Sequence, residues 1–316
     1  MKKPIALIGF EADAELARVA SCLRARGAQP IGVDLSRFPA ASRVTVSEKA
    51  LRVDGVDLLR CGAGLLRQVG YMWPMPARAP NKKQWGATYE HFARWISDER
   101  ECTSLKYALV SILAEQMPVI NPIAGFTYHQ MKPLMHAVLA EAGVPVPEWI
   151  ATNDAAELRR FARRQGRRGP AAVVKPLAGG AEVVAAPTSI GAGPLGRAPR
   201  LFQRLVRGDS VRAYVLGRRV IAACRIEHGA CIDWRRDIRS LAPIRLDRAC
   251  AALAARAARS LQMRFAGIDI ELTSAGPRFL DVNPTPLFVG FEKYTGLDVA
   301  GPLADDLLAL AADARP

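Results

Sequence analysis

The residues best suited to chemistry lie late in the chain, in the segment FAGIDIELTSAGPRFLDVNPTP, residues 265–286. It reads as strand, turn, strand, with Ser274, Ala275 and Gly276 supplying the turn. Folding the hairpin about Ala275 sets Asp269 opposite Asp281. Asp281 and Asn283 are two apart and share one face of their strand, because side chains alternate along a β-strand. Three oxygen donors then converge among apolar neighbours. A carboxylate pair withdrawn from water is costly unless a cation or hydrogen bonds compensate. Oxygen ligands without His or Cys suit magnesium or manganese, and magnesium commonly shares its shell with substrate phosphates. The plain alternative is a polar edge strand with turn-capping acids. Glu271 alternates onto the face of Asp269 and is expected to be exposed rather than a further ligand.

A second group of residues could hold a nucleotide. AAVVKPLAGGAEVV, residues 171–184, puts Lys175 at the end of an apolar strand and before a glycine loop. A lysine there can reach phosphates while backbone N–H groups of the loop cradle them. It can equally be an edge residue whose stem lies along apolar surface. The pattern is not GxxxxGK[ST], which excludes a P-loop. In LFQRLVRGD, residues 201–209, a strand runs into a turn. Backbone groups at Arg204, Leu205 and Val206 could meet the edge of an adenine, and Asp209 could accept ribose hydroxyls.

These residues need a scaffold of strands and helices. Pro4 to Gly9 reads as a buried strand, 12–27 as an amphipathic helix ending at Gly27, and 29–35 as the next strand, the start of an open α/β sheet. The lone Gly9 makes no dinucleotide fingerprint. Residues 72–90, rich in Pro, Trp and Lys, read as an irregular connection. Helices are expected over 99–116 and about 129–142, the second closed by Gly143 with Pro145 and Pro147 beyond. Asn121-Pro122 marks a boundary. From residue 171 the chain turns strand-rich, with candidates at 171–176, 200–206, 211–216 and 219–226. A helix over 247–262, the hairpin, and a last helix over 298–312 complete it. The Gly/Ala/Pro-rich stretch 185–199 reads as a loop.

Composition narrows the classes. No segment approaches the length of a membrane-spanning helix, and acidic residues directly after the first apolar run argue against a signal peptide. A cytoplasmic protein without membrane partners is expected. Six cysteines without a CxxC pair make a zinc site or disulfide framework unexpected; they read as buried fillers. The net charge is +14, with arginines crowded at 159–168 and 235–239. That charge suits an anionic partner: ATP, an acidic peptide or nucleic acid. No zinc knuckle, KH or RRM pattern supports the nucleic-acid reading.

In their order, these motifs resemble the ATP-grasp superfamily, and more narrowly its RimK-like branch. In HQMKPLMHAVLAEAGVPVPEWIATN, Lys132 resembles the first ATP-contacting lysine of the family, and Lys175 in VVKP resembles the second. Gln203, Arg204, Leu205 and Val206 resemble the adenine hinge. RAYVLGRRVIAACR resembles the strand pair with a family arginine, here Arg212. AGIDI, FLDVNPTP and GFEKYTGLDVAG resemble the magnesium motif and its sequel, implying Asp269, Asp281 and Asn283 as metal ligands. Aspartate at 281 departs from the commoner glutamate but keeps the carboxylate. The acid normally just ahead of Arg212 is displaced to Asp209, which puts its ribose role in doubt.

The resemblance implies an α/β (α+β) ATP-grasp fold. Residues 1–118 would form an N-terminal open α/β pre-ATP-grasp domain, 119–200 a central subdomain and 201–316 a C-terminal subdomain with the metal site. It implies an ATP-dependent ligase that joins a carboxylate to an amine or hydroxyl through an acylphosphate, using ATP and Mg2+ or Mn2+. Residues 177–199 would be a lid excluding water. Arg212, Arg225 and Arg235 would hold the acyl group and stabilise its oxyanion. IDWRRD and VPEWIATN resemble segments of ATP-grasp enzymes that modify ribosomal peptides, which implies an acidic peptide or protein substrate. The alternative is a small amino-acid or dipeptide ligase. Whether the chain forms a homo-oligomer is left open.

Overall fold

The first strand, IALI, is buried along its whole length, as a central strand of a parallel sheet must be. It opens a computed structural model that describes residues 3–69, 85–164, 172–178, 183–185 and 198–313. The chain divides into two compact units, residues 1–123 with 303–316, and residues 124–302.

In the first unit, β1 (Ile5–Ile8), β2 (Pro30–Val33), β6 (Ala63–Leu66) and β7 (Val119–Ile120) form a parallel sheet in the order β2-β1-β6-β7. Helix α1 (Ala14–Ala25) follows β1; Asp13 caps it by accepting from the Leu16 N–H, and Leu16, Val19 and Leu23 pack inward. A small antiparallel sheet of β3 (Val44–Ser47), β4 (Ala50–Val53) and β5 (Val56–Asp57) intervenes, unannounced by the strand reading of the sequence. Helix α2 (Trp85–Gln116) starts well before the expected 99. Its first residues overlap the segment expected to be irregular, while 70–84 lie outside the described residues.

The second unit opens with α3 (Ile123–Gln130) and α4 (Lys132–Glu141) where one helix over 129–142 was expected. The break falls at Met131, whose φ of −124° and ψ of 68° are not helical, with Pro133 in the first turn of α4. Proline has no N–H to offer a carbonyl one turn back, so it suits a helix start and not an interior. The break places Lys132 at the head of a helix. Next come β8 (Trp149–Thr152), α5 (Ala155–Arg164), β9 (Ala172–Lys175), β10 (Val184–Ala185) and β11 (Arg200–Arg204). The four strands form an antiparallel sheet in the order β10-β9-β11-β8.

A larger antiparallel sheet is built from β12 (Asp209–Leu216), β13 (Arg219–His228), β14 (Ile238–Pro243), β15 (Phe265–Thr273) and β16 (Gly276–Asn283), ordered β14-β13-β12-β15-β16. Helix α6 (Arg248–Ser260) crosses from β14 to β15; α7 (Val289–Thr295) and α8 (Ala300–Asp313) close the chain. One sheet face, with Val211, Ala213, Ile268 and Val282, packs on Leu139 of α4 and on Ala254 and Ala258 of α6. Alternation sends Ser210, Arg212, Asp269, Glu271, Asp281 and Asn283 to the other face. Among the described residues, no helix is long and apolar enough to cross a membrane.

Candidate active site

The hairpin of β15 and β16 pairs Thr273 with Gly276, so its turn is the two residues Ser274 and Ala275 rather than a loop centred on Ala275. Carried through regularly, that register would set Asp269 opposite Leu280. A bulge at Leu280 shifts the ladder by one and pairs Asp269 with Asp281. The opposition expected from the sequence is present, and the bulge is its cause. The bulge also diverts the Leu280 carbonyl, which accepts from Lys175 Nζ at 3.2 Å.

Each carboxylate is held on one oxygen. Lys132 Nζ donates to Asp281 Oδ1 at 2.7 Å and the Val282 N–H adds to the same oxygen at 3.1 Å. Arg212 Nη1 donates to Asp269 Oδ1 at 2.6 Å. Among the described residues, neither Oδ2 takes a hydrogen bond. Two carboxylates side by side, each with an oxygen to spare and cationic clamps behind, fit a divalent ion in the gap. Asn283 follows on the same face, but its Oδ1 accepts from the Thr285 N–H at 2.8 Å, and its side chain is not part of the cavity wall described next.

That wall encloses about 400 Å³ and includes Lys132, Lys175, Asp269, Glu271, Asp281 and Arg235, with the segment from Gln203 to Gly208 along one side. The volume is that of a small-ligand site. Two sheets contribute. Lys175 ends β9, whose loop is tied down where the Lys132 N–H donates to the Leu177 carbonyl at 3.0 Å. Gln203 turns its side chain inward, where its Nε2 lies 3.3 Å from Nε2 of buried His136. Gln203 is itself a wall residue, and Arg204, Leu205 and Val206 follow it along the same side.

Burial dominates the electrostatics. It pulls the Lys175 ammonium down to about 8, against the opposing charge of Asp281. For Asp281 burial pushes upward, but the Lys132 and Lys175 charges and the Lys132 hydrogen bond outweigh it and hold the carboxyl well below the usual range. Burial lowers Arg212, and the Asp269 carboxylate more than restores it, so the guanidinium stays charged. Burial raises Glu271, with the Ser210 hydrogen bond pulling the other way.

Several expected site residues are not brought to the cavity. Arg225 sits one residue off the register that sends Cys224 and Ile226 to the site face; it is exposed and pairs with Asp209 at 3.3 Å. Asp209 alternates with Ser210 onto the face that carries Arg225 and is not in the cavity wall. Arg212 is buried behind Asp269, its guanidinium 5.7 Å from the Tyr214 ring, and does not reach the cavity itself. Arg235 does, held by Asp233 through two contacts of 2.7 and 2.5 Å. Glu271, expected to be exposed, is only 7% exposed and accepts from Ser210 Oγ at 2.5 Å. Ser210 and His228 are wall residues that the sequence reading did not single out; the alternation of Ser210 with Arg212 was the available signal. Cys231 departs from the expected buried fillers, being exposed at the same cavity. The glycine loop at Gly179-Gly180 and most of the expected lid, residues 179–182 and 186–197, lie outside the described residues.

Residues 130–307 match the model of the RimK-like ATP-grasp domain, more than half of the 316-residue chain. The chain belongs to the RimK-like ATP-grasp family. This RimK-like protein is 38% identical over 107 residues to a probable alpha-L-glutamate ligase of Haemophilus ducreyi, covering 33% of this chain and 35% of that one. It is 32% identical over 112 residues to one of Picosynechococcus, covering 34% and 37%. The RimK-like chain thus spans about a third of the length of these curated relatives. Among solved structures, the ATP-grasp ligase PsnB complexed with precursor peptide PsnA2 and AMPPNP is 30% identical, with a TM-score of 0.80 and 98% of both chains covered. PsnB with a minimal precursor, Mg and ADP is 32% identical, with a TM-score of 0.81 and 97% of both chains covered. The macrocyclase MdnC of Microcystis aeruginosa, bound to precursor peptide MdnA, is 18% identical with a TM-score of 0.72 over 96% of this chain and 99% of that one, and shares the fold.

Proposed function

We propose that this protein is an ATP-dependent, ADP-forming ligase that joins a carboxylate to an amine or hydroxyl, acting on side chains of a peptide or protein. The observation that carries the reading is the cross-strand pair Asp269–Asp281, set with Lys132 and Lys175 in one cavity. When bound, ATP supplies the γ-phosphoryl group, and Mg2+ or Mn2+ neutralises charge on the phosphates. Asp269 and Asp281 would hold the ion through their spare oxygens, with Asn283 beside them. Lys132 and Lys175 would hold phosphate oxygens, and the backbone of Gln203, Arg204, Leu205 and Val206 the adenine edge.

An oxygen of the acceptor carboxylate forms the new P–O bond as ADP leaves. The amine or hydroxyl then adds to the activated carbonyl carbon, phosphate departs with the C–O electron pair, and the nucleophile gives up its proton. Arg235, in the wall and braced by Asp233, would face the acyl oxygens. Arg212 acts one step back, holding Asp269 in place. The peptide substrate is supported by the likeness to PsnB, which was solved with precursor peptides and covers nearly the whole chain. A free-glutamate substrate is the second reading, favoured by the names of the curated relatives.

The test is ADP release with an acidic peptide carrying Ser, Thr or Lys, in parallel with free glutamate. Asp281→Ala with Asn283→Ala should abolish release with whichever substrate is active. A variant that keeps the parental rate would refute the site. Turnover with glutamate and none with peptides would favour the second reading.

A further inference from the structure

A buried carboxylate in a ligand cavity needs a reason, and Glu271 has none in the metal pair. It lies two residues from Asp269 on the same face of β15, a separation of roughly 6.6 Å. Its Oε1 is occupied by Ser210 Oγ at 2.5 Å. Ser210 Oγ also lies 3.1 Å from His228 Nε2, and His228 Nδ1 donates to the Gly229 carbonyl at 2.9 Å. Three strands therefore fix one carboxylate. Among the described residues, Glu271 Oε2 takes no hydrogen bond.

The direction along β15 matters. The segment running from Gln203 reaches β15 at Gly208, where an added Cβ would stand 2.4 Å from the Leu272 carbonyl oxygen. Passing from Leu272 to Glu271 to Asp269 therefore leads from the hinge towards the metal pair. In a nucleoside triphosphate the sugar lies between base and phosphates. With the base at Arg204–Val206 and the phosphates at Asp269 and Asp281, the sugar falls over Glu271.

We propose that Glu271, steadied by Ser210 and His228, accepts the vicinal ribose hydroxyls of the bound nucleotide and makes the site selective for ribonucleotides. Glu271 takes the role for which Asp209, which pairs with Arg225 outside the cavity wall, was a candidate. A carboxylate suits a diol because its two oxygens only accept while both hydroxyls donate. The inference rests on the nucleotide reading of the same cavity, and its test separates the two.

Calorimetric titration with Mg·ADP, Mg·2′-deoxy-ADP and Mg·2′,3′-dideoxy-ADP reads binding without turnover. The parent should prefer ADP over the dideoxy form by about tenfold or more, the size of a hydrogen bond to a charged group. Glu271→Leu should bind both within about twofold of each other. Should Glu271→Leu fail to fold, Ser210→Ala, which keeps the carboxylate but removes its support, should shrink the preference while still binding ADP. A parent without preference, or a folded Glu271→Leu or Ser210→Ala with the parental preference, overturns the ribose role and leaves nucleotide binding standing. A parent that binds none of the three overturns both.

Discussion

Arg212 and His136 show how much of this site is settled by single buried side chains. Arg212 is 7% exposed, and among the described residues its contact with Asp269 is the one charge-assisted bond on that carboxylate. Partners that orient a metal ligand typically govern affinity by a factor of about 10 to 100. Arg212→Met should therefore weaken Mg2+ by roughly that factor, read as the Mg2+ concentration for half-maximal ADP release. An unchanged Mg2+ curve would mean that Asp269 needs no clamp. His136 is fully buried behind Lys175, and burial first, then the Lys175 charge, hold its imidazole down to about 3. In the unfolded chain it titrates near about 6.5. Its folded value is depressed, so full stability holds above that pH and is lost as pH falls from about 6.5 towards about 3, where the unfolded chain alone takes the proton. His136→Gln should lose less of its melting temperature than the parent between about pH 7.5 and about pH 5; equal losses would show that His136 does not set the slope.

At the scale of elements, the hairpin of β15 and β16 was the most legible part of the chain, because strict alternation around a small-residue turn leaves few other pairings. Its bulge was not legible: Leu280 looks like any apolar strand residue, and only the ladder shows that it is the extra one. The split between α3 and α4 had a signal in Pro133, yet the apolar periodicity runs through it and suggests one helix. The sheet of β3, β4 and β5 had its own mark in Asp54-Gly55, both at positive φ in the turn; its short, half-exposed strands concealed the rest. Gly267 belongs to this scale because it lets three segments meet. A Cβ there would stand 2.4 Å from Pro286 Cβ and 3.1 Å from the Arg212 guanidinium carbon. Gly267→Ala should cost about 1–3 kcal/mol in chemical denaturation, the usual penalty of overpacking, and should weaken Mg2+ in the same direction as Arg212→Met. A neutral result would show that the β16–α7 connection yields freely.

For the molecule as a whole, the net charge of +14 is the property least explained by the fold. Some of it is answered locally: Arg160 pairs with Glu157 on α5, and Arg239 reaches Asp237 beside β14 at 4.0 Å. These pairs are exposed and add little to stability. The larger effect of an unbalanced surface is on encounter, since a field of one sign raises the local concentration of opposite charge and speeds association by about 10- to 1,000-fold. Arg235 and Arg236, next to the cavity, put part of that field where an acceptor carboxylate would arrive. The screening length shrinks from about 10 Å at 0.1 M salt to about 3 Å at 1 M. An acidic peptide acceptor should therefore show a KM rising by roughly tenfold between low and high salt, with kcat at saturation nearly constant, because encounter weakens while the buried chemistry is screened much less. Free glutamate carries one net negative charge and should shift far less. Salt sensitivity that follows the number of acidic residues in the acceptor would tie the basic surface to substrate capture; a KM indifferent to both would leave the charge as solvated surface.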